Sequence, residues 1–164
     1  MRSRMTLAVL AVALLGLTAC SGDKAEPSAP QDVPAAAASG PACKLVTASE
    51  AKEAVGGSEL TLANDSEDGC SYESSDRTKT VDLKVETLPF DAGQVDQLKS
   101  ALDATQTTDL HGLGDAAFSY HPSEDLTSIY VWGKGHFLQV LVAAEGGKTA
   151  DATMKLTQTA FGRL

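Results

Sequence analysis

Catalytic motifs are the first thing missing from this chain. It has no Gly-x-Ser-x-Gly elbow and no Cys-x-x-Cys, and Gly112 and Gly114 open no helix and have no Gly-Lys-Ser/Thr closing their loop. Those gaps remove the usual esterase, phosphate-cradling and dithiol routes to activity. Cationic residues are also few, 13 Lys and Arg against 22 Asp and Glu, for a formal charge of -9. A body of that sign is repelled by nucleic acid and by anionic lipid head groups, so neither is an expected partner. No catalytic residue, cofactor or metal ligand is assigned, and the chain is read as a non-enzyme.

Long apolar runs are missing too, apart from one between Met5 and Leu17 that follows Arg2 and Arg4. About 13 residues at ~1.5 Å rise reach roughly 20 Å, short of a ~30 Å hydrocarbon core. A charged start, a short greasy middle and small residues thereafter mark a secretory signal. The signal closes on Leu17-Thr18-Ala19-Cys20, which resembles the lipobox of bacterial lipoproteins. That resemblance implies an acylated Cys20 (palmitate or a similar chain) as the first mature residue, with residues 1–19 removed. The protein is then expected on the extracytoplasmic face of the cell membrane, its membrane partner reached through that lipid. Losing Arg2 and Arg4 takes the formal charge from -9 down two more, to -11.

Residues 20–41 are the lipidated cysteine and a spacer rich in Ala, Pro, Ser and Gly, with Val33 as its β-branched aliphatic residue. Such a composition buries too little to offset the entropy of ordering. Residues 42–164 have the usual size of one domain with its own core. Once Cys20 carries lipid, Cys43 and Cys70 remain in an oxidising compartment, and an even pair predicts one disulfide.

Thr47-Ala48-Ser49-Glu50 is a capping box, and the helix it opens stops at Gly56-Gly57. Short strands are expected at Leu60–Leu62 and from Gly69. Val81, Leu83 and Val85 alternate with charged residues, giving the clearest strand, which Pro89 ends. Val95, Leu98 and Leu102 fall at i, i+3 and i+7 of a second helix. Strands at 116–120, 128–132 and 136–142 and a helix from 150 to 164 complete the order α-β-β-β-α-β-β-β-α. Strand runs joined by tight turns predict an α+β fold, a single antiparallel sheet with helices packed on one face.

These features together resemble small actinobacterial secreted lipoproteins that carry a domain of unknown function. The likeness rests on Cys43 before the capped helix, Gly69-Cys70-Ser71-Tyr72 as a Cys-x-Tyr strand, and Gly112-Leu113-Gly114-Asp115-Ala116-Ala117. It implies an envelope location, an α+β domain and the Cys43–Cys70 pairing, and it brings no activity.

Two polar clusters are set aside on chemistry. Asn64 to Gly69 opens like a calcium loop, but its twelfth position is Ser75 instead of a bidentate glutamate. His111, His121 and His136 are too far apart in sequence to read as a zinc set. The last hairpin is more telling. A two-residue turn at Lys134-Gly135 places Ile129, Val131, Leu138, Val140 and Val142 on one face. The other face carries Tyr130, Trp132, Phe137, Gln139 and Leu141. That aromatic side is either a second buried layer, with the helix at 94–103 among its covers, or a surface for an envelope protein or polymer. The expected function is a lipid-anchored interaction or binding module of the bacterial cell envelope. The alternative is a carrier or sensor holding a small apolar ligand between helices and sheet, against Phe118, Tyr130 and Leu141.

Overall fold

The computed structural model describes residues 40–164, so the signal segment, Cys20 and most of the spacer lie outside the described residues. Seven strands form one antiparallel sheet: β1 (Thr61–Asp65), β2 (Gly69–Glu73), β3 (Lys79–Thr87), β4 (Thr107–Asp109), β5 (Ala116–Ser123), β6 (Leu126–Gly133) and β7 (His136–Ala144). Three helices accompany it, α1 (Ala48–Ala54), α2 (Ala92–Ala101) and α3 (Thr149–Arg163). The class is the expected one, α+β on a single antiparallel sheet, with β4 added as a three-residue edge too short to carry a readable period.

Across the sheet the order is β1-β2-β3-β7-β6-β5-β4. Two meanders, β1–β3 and β4–β7, meet where β3 pairs with β7 in unbroken register from Lys79↔Ala144 to Thr87↔His136. This joint puts Val81, Leu83 and Val85 level with Val142, Val140 and Leu138, so the alternation on both strands feeds one core. Ile129 and Val131 continue that core onto β6, opposite Val140 and Leu138.

Helices α1 and α3 cover this aliphatic face. In α1 the Thr47 hydroxyl accepts from the Glu50 N–H, and the Thr47 N–H donates to the Glu50 carboxylate, the reciprocal cap read from sequence. At its end the Gly57 N–H returns to the Lys52 carbonyl at 2.9 Å. Arg163, in the last turn of α3, forks onto both Glu50 oxygens at 2.8 Å and donates to the Leu45 carbonyl. Its guanidinium holds the Glu50 carboxyl down at about 2, well below the usual range. The buried stripe of α3 is not drawn from its apolar residues alone: Met154, Phe161 and Leu164 are only partly buried. It is Thr149, Thr153, Leu156, Thr157 and Ala160. The Thr153 and Thr157 hydroxyls each donate to the carbonyl four residues back at 2.7 Å, so their methyl groups face the sheet with no unmet polar atom.

The disulfide joins Cys43, in a 3-10 turn over Ala42–Lys44, to Cys70 of β2. Both cysteines sit in the aliphatic core beside Tyr72, whose hydroxyl donates to the Val46 carbonyl at 3.0 Å.

The expectation of helices on one face holds for α1 and α3 and fails for α2. The reason is topological. β3 lies beside β7 in mid-sheet while β4 is the far edge, so residues 88–106 must cross β7, β6 and β5. That is four strand spacings, ~19 Å in all. Helix α2 makes the crossing on the face that α1 and α3 leave open.

Candidate functional site: the aromatic face and its roof

Cross-strand register assembles the site. Trp132 of β6 stands opposite Phe137 of β7, next to the two-residue turn where Lys134 and Gly135 both take positive φ, at 55° and 77°. Such a turn matches the twist of the flanking strands and fixes which residues share a face. One strand further, Phe118 of β5 stands opposite Tyr130. The two pairs make a four-ring array. Phe118 and Tyr130 stack at 4.8 Å between centroids, Trp132 and Phe137 lie at 4.9 Å, and Phe118–Trp132 and Tyr130–Phe137 contacts tie the pairs together.

The faces are divided as the sequence predicts, but the rings are not open to solvent. Trp132 is 2% exposed, Tyr130 and Phe137 8%, and Phe118 fully buried. Of the two arrangements left open by the sequence, the rings form the buried layer; Gln139 and Leu141, at the same face, are half-buried. Burial also pushes the Tyr130 phenol above its ordinary value. The cover consists of Val95, Leu98 and Leu102 from α2 and its flank, with Leu88, Ala116 and Tyr120 around the edge. That occupies the space beside Phe118 and Tyr130 in which a small apolar ligand would sit.

The roof is thinly built. No residue of α2 is buried, in contrast to five in α3. Asp91 caps it by accepting from the Gly93 N–H at 2.8 Å, and Lys99 donates to Asp109 of β4 at 2.5 Å while lying 5.8 Å from the Phe118 ring centroid. Gln94 Oε1 of the helix itself and Trp132 Nε1 of the ring array are both buried with no hydrogen-bond partner among the described residues. Full burial of a Leu or Val contributes ~1.5–3 kcal/mol, so three half-buried ones contribute a few. Each unpaired buried polar group costs ~1–3 kcal/mol, which offsets much of that gain. Closing α2 is close to balanced. Neither Gln94 nor the Lys99–Asp109 pair was singled out from sequence, because their significance depends on which face α2 takes.

The other polar features gather no comparable site. Asn64 to Gly69 is the β1–β2 turn, where Ser66 donates to Asp68 at 3.2 Å and to the Gly69 carbonyl at 3.1 Å. No cluster of three metal-ligating side chains occurs among the described residues. A Ser-x-x-Lys spacing occurs at Ser49 and Lys52 of α1, but Lys52 is ion-paired with Glu59. His121 joins a polar chain that sequence spacing hides. Its Nε2 lies 2.8 Å from the Ser119 hydroxyl and its Nδ1 3.0 Å from Thr127, which in turn meets Thr149 of α3 at 2.8 Å. Ser119 is 3% exposed, so this chain stitches β5, β6 and α3 and offers no accessible nucleophile. A groove of about 780 Å³ lies between the Cys43 turn, the end of α3 and the start of β7, with acidic and basic groups intermixed along it.

No family model matches the chain, and no curated protein or solved structure matches it either. No helix among the described residues is long and apolar enough to cross a membrane.

Proposed function

We propose that this chain is a lipid-anchored, extracytoplasmic, non-enzymatic interaction module of the bacterial cell envelope. Its binding site is the aromatic face, and α2 is a roof that lifts to admit a partner. One observation carries the site: four clustered rings lie under a helix that buries none of its own residues and closes with an unpaired donor and an unpaired acceptor. Buried aromatic anchors of this kind dominate binding energetics once they reach a partner. The anchor is supported by the charged start, the short apolar run and Leu17-Thr18-Ala19-Cys20. An oxidising location agrees with the Cys43–Cys70 bridge.

Each half of the reading has its own measurement. With two or more acyl chains on Cys20 the protein stays in the membrane fraction, since each buried CH₂ contributes ~0.8 kcal/mol. Cys20→Ser should move it to the soluble fraction; unchanged partitioning refutes the anchor. Hydrogen exchange should find the α2 amides opening far more readily than those of β6 and β7, by a local process independent of global unfolding. Helix amides as slow as the sheet's would make α2 fixed core, and the binding site would have to lie elsewhere.

A further inference from the structure

We infer that the occupant of the aromatic face is a basic amphipathic helix of a partner protein, whose apolar register and single lysine contact α2 imitates while the site is closed. The inference rests on the roof reading above and names what takes the roof's place.

The structure shows what shape this face accepts, because a helix is already seated on it. The Phe118–Tyr130, Phe118–Trp132 and Tyr130–Phe137 planes lie within 23–25° of parallel. Rings stacked in this way turn their faces on one another and leave edges and furrows for whatever lies above. A sugar ring stacks on an open aromatic face and finds those faces taken. Aliphatic side chains from a helix fit the furrows, as Val95, Leu98 and Leu102 do at i, i+3 and i+7.

Charge adds the second half of the pattern. Lys99, at i+4, pairs with Asp109 and lies over Phe118. Asp109 belongs to β4, and Phe118 to β5, so both stay on the sheet when α2 leaves. A partner helix with a Lys or Arg at that register inherits the carboxylate and the ring. The chain's formal charge of -9 favours approach of a basic helix over an acidic one, and Asp109 remains on the sheet to receive it. Larger apolar side chains at the three anchor positions would outcompete a roof that is itself only half-buried.

The test uses the full chain reconstituted in phosphatidylcholine vesicles. The probe is a labelled 15-residue helical peptide with Leu at i, i+3 and i+7 and Lys at i+4, followed by fluorescence anisotropy. Leu98→Asp, with Leu98→Ser as the milder variant, unseats α2. Trp132, the chain's single tryptophan, reports opening through acrylamide quenching. Unseating should expose Trp132 and tighten peptide binding at least tenfold over the unaltered chain. In that background Asp109→Lys should weaken the Lys peptide at least tenfold, and a peptide with Glu at i+4 should restore it. Trp132 exposed without peptide binding, or binding blind to the charge exchange, overturns the helix inference and leaves the roof reading standing. Trp132 still shielded in both Leu98 variants overturns the roof reading and this inference with it.

Discussion

Replacing Cys43 and Cys70 together by alanine should lower the unfolding free energy by about 3–4 kcal/mol, read as a fall in the urea midpoint. The bridge spans a sequence separation of 27, and releasing that constraint lets the unfolded chain explore many more conformations. The closed loop contains α1, only seven residues long, and β1, at the edge of the sheet. A helix of that length has negligible stability alone. Without the bridge this corner would be held by the Tyr72 bond to the Val46 carbonyl, the Arg163 fork onto Glu50 and the packing of Ala51 and Val55. Both cysteines are almost fully buried, 2% and 1% exposed, so alanine also leaves small voids. Exchange should rise first in α1 and β1 and last in β6 and β7. An unchanged midpoint in the double variant would mean the bridge does not constrain the unfolded chain as argued.

What the sequence disclosed and what it withheld divide along a physical line. Local chemistry was legible. The capping box at Thr47 and Glu50, the alternation of β3 and the two faces of the β6–β7 hairpin each depend on residues within one turn of helix or one tight loop. Long-range pairing was not. Which face α2 covers follows from β3 pairing with β7, about sixty residues away, and nothing in residues 92–101 records it. The threonine stripe of α3 misleads for another reason: a hydroxyl looks polar in sequence, yet one bonded to its own helix packs as a methyl group. His121, set aside with the other histidines on sequence spacing, is followed by Pro122. The register shift between Tyr120 and Ser123 lets β5 run on past that proline, bringing the imidazole onto Thr127. Of the two readings left open for Tyr130, Trp132 and Phe137, the same crossover selects the buried layer, since it carries α2 across that face.

The Gly112-Leu113-Gly114 segment offers a matched pair of substitutions in which only one should do damage. Gly112→Ala should cost about 1 kcal/mol, since φ is +80° and an added Cβ meets nothing within 4 Å. Gly114→Ala should cost roughly 3–5 kcal/mol. It has the same penalty for an L residue at positive φ, here +67°, and a collision besides. Its Cβ would lie 2.3 Å from the Trp132 carbonyl oxygen and 2.9 Å from Val131 Cγ1. The carbonyl cannot retreat freely, because it accepts the Asp115 N–H at 2.7 Å. Relief must come from moving β6 at Trp132, the center of the ring array. Gly114→Ala should therefore also shift Trp132 emission, while Gly112→Ala leaves it in place. If the two variants unfold within 0.5 kcal/mol of each other, the loop does not press on β6 and its glycines serve the turn alone. A large gap accompanied by a Trp132 shift would make this segment the brace that sets the floor of the binding face, on the side away from the roof.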